Sequence, residues 1–290
     1  MRWLSSTRNK VLLCAPALIF YSVFYIFSLG FALFYSVTNF SGLGKAKFVG
    51  LINYLNLFKD NLFFISLKNT FIILIISFIV LLPLAFIWAY ILDMGFRGHS
   101  FLKAMTFTPY VIAPIVVGTI WWFILDPEIG LVCAILKAIG HPEWNQTWIG
   151  GKVLTPYSIS VVYIWQSMCF HATIMLAGLK SIPKDIYEAA DVDGANRRQK
   201  VFRITIPLMK ETFIMNVALL VTGALKIFEL VQQLTAGGPN HFSETLVTYM
   251  YFTVFKQYKY GYGMAIAVFV LILSAIFSIA YIKNSRKKLN

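Results

Sequence analysis

Charge is what this chain has least of. Only 13% of its 290 residues are Asp, Glu, Lys or Arg, against the roughly 25% of a soluble domain. Acid is the scarcer sign, with 12 Asp and Glu against 25 Lys and Arg. Cysteine is nearly absent too: Cys14, Cys133 and Cys169 lie far apart, with no Cys-x-x-Cys or Cys/His spacing. That excludes a disulfide framework and a zinc site and leaves three small free thiols. No G-x-x-x-x-G-K-[ST] segment occurs, so the chain has no P-loop for ATP. An H-E-x-x-H helix is missing as well, and so is a pair of carboxylates within an apolar run. No catalytic or metal-binding constellation is left to consider.

Apolar residues are abundant, at 59%. Six runs reach the roughly 20 residues that a helix needs to cross a bilayer core. They are Val11–Thr38, Asn69–Leu92, Ala104–Leu125, Val153–Leu179, Thr212–Leu234 and Gly261–Ile282. Five hold no charged residue; the fifth run in the chain holds Lys226 and Glu229. Lipid leaves no water for exposed backbone groups, so runs of this length must be helices. The sequence therefore predicts an all-α, polytopic membrane protein with six transmembrane helices. Sixteen of the 25 Lys and Arg fall in the two tails and in the 93–103 and 180–211 loops. The positive-inside bias puts both termini, and those loops, in the cytoplasm. The net charge of +13 then reads as topology and contact with anionic lipid headgroups, with no nucleic-acid partner. The first run is too long for a signal-peptide core, so it is expected to remain as a span. Residues 1–10 and 283–290 are expected to be cytoplasmic tails around one transmembrane domain over 11–282.

Punctuation within and between the runs carries further detail. Pro109 and Pro114 bracket the third run and predict kinks there. The 39–68 segment reads as an outer loop, with an aromatic piece around Asn53, Tyr54 and Phe58. In the 126–152 loop, Asp126-Pro127, Gly130 and His141-Pro142 predict turns, and Trp144 and Trp148 an interfacial belt. Ala236-Gly237-Gly238-Pro239-Asn240 predicts a chain reversal. The run after it, Thr245 to Phe252, is too apolar for a free loop and too short to span, so it is read as a short outer helix or re-entrant piece.

The 180–211 segment is a charge-dense island in this apolar chain. Pro183 suits the first turn of a helix and Asp185 its positive end. Ile182, Ile186, Ala189 and Ala190 fall near one face. Gly194 permits the left-handed residue that closes a helix, and a second short helix is expected from about Asn196 to Pro207. The small Ala189-Ala190 pair allows close approach by another surface, while Glu188 and Asp191 offer charges to it. An ordinary amphipathic surface loop would satisfy the same spacing.

This island resembles the EAA loop of binding-protein-dependent ABC transporter permeases: E-A-A, three residues, G, then I-x-x-P. Glu188, Ala189, Ala190, Gly194, Ile204 and Pro207 stand at those places, and Ile182-Pro183 and Asp193-Gly194-Ala195 match the carbohydrate form. Asn69-Thr70 at the start of the second run, Pro109, Pro114 and Trp121 agree with that subgroup. Leu234-Thr235-Ala236-Gly237-Gly238-Pro239 resembles the L-T-x-G-G-P segment of the MalF-like half. Cys133 and Glu211 depart from the common pattern, outside the core motif.

The resemblance implies a type I importer permease fold in a bacterial cytoplasmic membrane. It implies a non-catalytic translocation subunit working with a second homologous permease, two ATP-binding cassette subunits that hold the ATP and Mg, and an extracellular sugar-binding protein. Pro183, Tyr187, Glu188, Ala189, Ala190, Asp193, Gly194 and Ala195 would then couple to the ATPase. A cargo of glycerol phosphate or another polyol would keep the class. An ion-coupled secondary transporter would need more intramembrane carboxylates than Glu229.

Polar residues inside the spans are candidates for a substrate path. In the fifth run Thr222, Lys226, Glu229 and Gln233 recur at the spacing of one helical face, with Lys226 and Glu229 able to pair. A local ion pair near the outer interface fits the same residues. Tyr163, Gln166, Phe170 and Thr173 share a face of the fourth run and suit a sugar, and interhelical aromatic packing fits them too. Asn216 is a further path candidate, while His171 reads as a structural hydrogen-bonding residue.

Overall fold

The computed structural model describes residues 7–95 and 97–287. Of the expected tails, Arg2 and Lys288 lie outside the described residues. Among those described, the chain is helical with no strand, apart from one isolated antiparallel bridge between Thr38 and Phe48. Four helices are long and apolar enough to cross a membrane: Lys10–Ser36, Asn61–Asp93, Thr155–Lys180 and Tyr260–Ile279. Two bent pairs, Phe101–Val111 with Pro114–Leu125 and Arg197–Leu208 with Lys210–Leu225, make six if each pair is one span.

Residues 7–60 and 250–271 form one compact unit. Here α1 (Thr7–Tyr21) runs through a π-helical turn into α2 (Ser28–Ser36). The end of α2 leaves carbonyls without helical partners. Asn53, on the short α3 (Ile52–Leu57), donates its amide to the carbonyls of Ser36 and Thr38, both at 2.8 Å. Tyr54 Oη donates to Ser36 Oγ at 2.8 Å. The 39–68 stretch is thus not one loop, since it contains α3 and the start of a long helix.

Residues 61–249 and 272–287 form the second unit. Its frame is α4 (Asn61–Asp93) packed along α8 (Thr155–Lys180). α4 starts eight residues before the expected Asn69, because Leu62, Phe63, Phe64, Ile65 and Leu67 continue the helix and exposed Lys68 alone interrupts the apolar run. The third run divides into α5 (His99–Val111) and α6 (Pro114–Leu125), bent by 95°. Pro114 causes the break: the residue before a proline is driven out of the helical region, and Ala113 has ψ 136°. Pro109 sits inside α5 and breaks nothing.

The fifth run divides as well, into α12 (Lys210–Leu225) and α13 (Glu229–Leu234). α12 packs on α4 and α13 on α6. One core lies where α4, α8 and α12 meet, around Leu81, Met175 and Leu220; the other gathers Val117, Ile159, Val231 and Leu234. Close packing of such helices relies on small residues and dispersion, since lipid is as apolar as leucine. Gly178 of α8 shows this, because a Cβ there would stand 2.7 Å from Thr212 Cγ2.

Candidate functional site

Residues 180–211 fold as a hairpin of short helices. α9 (Lys184–Val192) begins after Pro183, which occupies the N-cap with ψ 137° rather than the first turn itself. Gly194 has φ +73°, a conformation that costs little only without a Cβ. Its N–H donates to Asp191 O at 3.1 Å and that of Ala195 to Ala190 O at 2.9 Å, closing the helix. Asn196 then caps α10 (Arg197–Lys200): its Oδ1 accepts from the Gln199 N–H at 2.9 Å, and Gln199 Oε1 accepts from the Asn196 N–H at 2.8 Å. A π-helical turn over Val201–Thr205 leads into α11 (Ile206–Leu208).

Two side-chain ties hold the arms together. Tyr187 Oη and Thr205 Oγ1 are 2.9 Å apart, and Lys200 Nζ pairs with the Asp191 carboxylate. Ala190 and Ile182 are buried, whereas Glu188, Ala189, Asp193 and Gly194 are exposed. A cleft of about 280 Å³, lined by Ala190, Asp193, Gly194, Ala195, Gln199 and Arg203, opens between the arms. The hairpin is therefore closed by its own hydrogen bonds and leaves Glu188, Ala189, Asp193 and Gly194 exposed, along with Lys184, Val192, Arg198 and Phe202.

The residues proposed for the substrate path fare differently. Thr222, Lys226, Glu229 and Gln233 do not form one helical face, because the helix ends at Leu225 and restarts at Glu229. Lys226 (φ −105°, ψ 11°) and Phe228 (φ −135°, ψ −66°) have left helical geometry. The break is held from outside the run, with Thr245 Oγ1 donating to the Ile227 carbonyl at 3.1 Å. The Lys226–Glu229 ion pair is also absent among the described residues; both side chains are exposed, as is Gln233. Thr222 Oγ1 donates back to Ala218 O at 2.8 Å.

In α8, Gln166 is buried and donates to the Ile112 carbonyl at the α5–α6 break, 3.3 Å away. Phe170 stacks on Tyr110 with centroids 5.0 Å apart. Thr173 Oγ1 donates to Cys169 O at 2.9 Å. A Cβ on Gly223 would lie 2.7 Å from Tyr163 Oη, so Tyr163 marks a close approach of α8 to α12. Asn216 is fully buried: its Nδ2 donates to His171 O at 3.1 Å, and its Oδ1 accepts from His171 Nδ1. That pair ties α12 to α8.

The outer segment carries a second cluster of polar contacts. Asn69 Nδ2 donates to the carbonyls of Phe242 and Glu244, at 2.8 and 2.9 Å. Thr70 Oγ1 accepts the Leu246 N–H at 3.0 Å and donates to Ser66 O at 2.7 Å. The clamp sits at the start of α14 (Leu246–Tyr251), a short helix in the 235–260 segment. Beside it lies Glu244, 2% exposed, whose Oε1 is 3.0 Å from His241 Nδ1 and whose Oε2 is buried without a hydrogen-bond partner. A Cβ on Gly237 would strike that carboxylate. In the neighbouring loop, Asp126 Oδ1 accepts the N–H groups of Glu128 (2.9 Å) and Ile129 (3.0 Å). Those bonds favour the charged form and hold its carboxyl below the usual range.

Among the described residues no cluster of three or more His, Cys, Asp or Glu could hold a metal. The profile of the family described as "Binding-protein-dependent transport system inner membrane component" matches residues 82–288, most of the chain. The chain belongs to this family of permeases. A probable ABC transporter permease, YurN of Bacillus subtilis (strain 168), is 34% identical over 229 residues, covering 78% of each protein. The trehalose/maltose transport system permease protein MalF of Thermococcus litoralis is 30% identical, covering 75% of this chain and 74% of that one. The permease fold is also that of a solved bacterial ABC transporter involved in alginate import, with TM-score 0.84 over 98% of both chains at 20% identity.

Some residues of this permease escaped the sequence reading. Glu244 was one, since a single acid between Ser243 and Thr245 looks like ordinary loop polarity. The isolated carboxylate just before an apolar run was the available signal. Tyr90 and Arg197 were others: Arg197 Nε donates to Tyr90 Oη at 3.3 Å, and its guanidinium lies 5.4 Å from the ring centroid. No local pattern links positions 107 residues apart.

Proposed function

We propose that this chain is the transmembrane permease subunit of an ATP-driven importer for a mono- or oligosaccharide. An extracellular binding protein delivers the sugar to the outer loops. A second, homologous permease completes the pathway, and two ATP-binding cassette subunits on the cytoplasmic side bind ATP and Mg. The subunit itself performs no chemistry, in keeping with a sequence that has no P-loop. Both termini and the 180–211 hairpin lie in the cytoplasm, and the apolar faces meet lipid.

The observation that carries this reading is the hairpin at Pro183–Ala195. Its rigid build and exposed Glu188, Ala189, Asp193 and Gly194 suit a lever moved by a partner. ATP binding closes the cassettes, displaces the hairpin and shifts the permease pair between inward- and outward-facing states; the coupling is the difference in ATPase affinity for those states. A carbohydrate cargo is supported by the trehalose/maltose transport system to which the Thermococcus litoralis relative belongs. Lys226 is the one basic group within the six apolar runs of the sequence, which favours a neutral cargo over a phosphate.

The test is reconstitution of this chain with its partner permease, cassettes and binding protein in liposomes. Sugar uptake should require ATP, and the sugar-loaded binding protein should stimulate hydrolysis. Glu188→Ala should abolish that stimulation while leaving membrane insertion intact. Uptake that proceeds without the cassettes would overturn the reading.

A further inference from the structure

Arg197 occupies a place that helix stability does not explain. A cation in the first turn of a helix works against its dipole, yet α10 opens on Arg197 directly after its Asn196 cap. Its guanidinium instead reaches across to the cytoplasmic end of α4. There it donates from Nε to Tyr90 Oη at 3.3 Å, lies over the Tyr90 ring with 5.4 Å to the centroid, and touches Met94 Sδ. This combination of a planar donor and ring stacking is specific to arginine.

Behind Tyr90 the contacts continue into the membrane part of the fold. Tyr90 stacks on Phe86 with centroids 6.3 Å apart and planes 29° from parallel. Phe86 packs on Phe213 of α12 at 5.6 Å. Phe86, Tyr90 and Phe213 all border the core where α4, α8 and α12 meet. The chain joins the hairpin to α12 across a 67° bend between Arg197–Leu208 and Lys210–Leu225, while Ile182, Tyr187 and Met209 pack into the core shared by α4, α8 and α12. A bend so sharp is a poor strut. The Arg197–Tyr90 contact adds a directional, polar attachment of the hairpin's second arm to α4.

We propose that Arg197 is a positioning residue that converts displacement of the 180–211 hairpin into movement of α4 and α12, through the Tyr90–Phe86–Phe213 stack. The inference rests on the importer reading above. In it, Arg197 touches neither sugar nor nucleotide. Its task is to make the hairpin and α4 move together, and without it the hairpin shifts while the bundle lags.

The experiment uses the full reconstituted assembly with sugar-loaded binding protein, and reads sugar imported per ATP hydrolysed. Arg197→Ala should lower that ratio roughly tenfold, a coupling loss of about 1.4 kcal/mol, while the cassettes co-purify in wild-type amounts. Arg197→Lys keeps the charge but not the planar stacked donor, and should rescue little. Tyr90→Ala should give the same phenotype as Arg197→Ala. The double variant should be no worse than either single one, because residues acting through one contact are non-additive. Tyr90→Phe, which keeps the ring and is the gentler change, should lose only part of the ratio. An unchanged ratio in Arg197→Ala, full rescue by lysine, additive losses, or loss of cassette binding would each overturn the inference. If the unmodified assembly imports nothing on ATP, both this inference and the importer reading fall. If it imports and Arg197→Ala matches it, only this inference falls.

Discussion

Asn69 is the position where one substitution should reveal most about how this permease holds its 235–260 segment. Its amide nitrogen donates to two carbonyls, those of Phe242 at 2.8 Å and Glu244 at 2.9 Å, and the residue is 5% exposed. Asn69→Ala removes both donors and leaves a buried acceptor on Glu244 and a half-buried one on Phe242 without that partner. A hydrogen bond of this kind contributes about 0.5–1.5 kcal/mol in a soluble protein, and about 0.6 on average between membrane helices. Two bonds then give a loss of about 1–3 kcal/mol. At roughly 2–4 °C per kcal/mol for a domain of 150–250 residues, the midpoint should fall by about 2–12 °C.

Asn69→Asp discriminates the cause. Its volume is nearly unchanged, yet a carboxylate has only acceptors to offer to two carbonyl oxygens. Repulsion and a buried charge should make it worse than alanine, although alanine removes more atoms. Thermal unfolding of the purified protein in detergent measures the ranking wild type, Ala, Asp. Hydrogen exchange over residues 243–249 localises it, since Leu246 donates its N–H to the adjacent Thr70. If Asn69→Asp is as stable as Asn69→Ala, or if neither shifts the midpoint by more than about 1 °C, the clamp does not hold the outer segment and the reasoning fails.

Three further outcomes can be checked on the same material. Gly178→Ala should cost about 1–3 kcal/mol by overpacking, and Thr212→Ala should recover part of it by removing the Cγ2 that would stand 2.7 Å away; a Gly178→Ala protein as stable as wild type would contradict the close approach of α8 and α12. Asn216→Ala and His171→Ala should each lower the unfolding midpoint, and the double variant should lose less than their sum, because the two share one set of contacts. The Asp126 carboxyl titrates below its ordinary range when folded, so its stabilising contribution is present above the unfolded value of about 3.9 and disappears as pH falls through the lower folded one. The midpoint advantage of wild type over Asp126→Ala should accordingly shrink on acidification below about pH 4, and an advantage that grows instead would reverse the assignment.

Local signals were the legible ones. The hairpin at 180–211 was readable because Pro183, Gly194 and Asn196 act on their own turns. The apolar runs were readable because lipid forces helix on any stretch that long. Illegible were the features decided by groups elsewhere in the chain. Whether the fifth run continues past Leu225 depends on Thr245, which meets the Ile227 carbonyl from 18 residues away. The third run breaks at Pro114, as a proline can, but Gln166, 54 residues away, meets the carbonyl freed there. Hydropathy also misplaced the start of α4, reading exposed Lys68 as the edge of a loop. Asn69 and Thr70 were visible as a pair, but their acceptor and donor lie 173–176 residues away. A helical face drawn through Lys226 and Glu229 fails for the same reason: periodicity assumes the helix it is meant to detect.

The two broken helices change where a substrate path is to be sought. Non-helical backbone at membrane depth survives only where protein or a watery cavity satisfies it. Both breaks meet that condition with side chains, Gln166 at Ile112 and Thr245 at Ile227. Gln166 thus has one of its two N–H donors engaged, and Asn216 is fully buried against His171. Lys226, Glu229 and Gln233 differ: they lie in or just after the break and stay exposed on this subunit, Gln233 with its stem against Gly118 of α6. A break does for these three what a continuous helix could not, because it releases polar side chains without leaving the main chain unsatisfied. If the importer reading holds, groups that contact cargo are therefore to be sought at the junction of α12 and α13 rather than along a stripe of one straight helix.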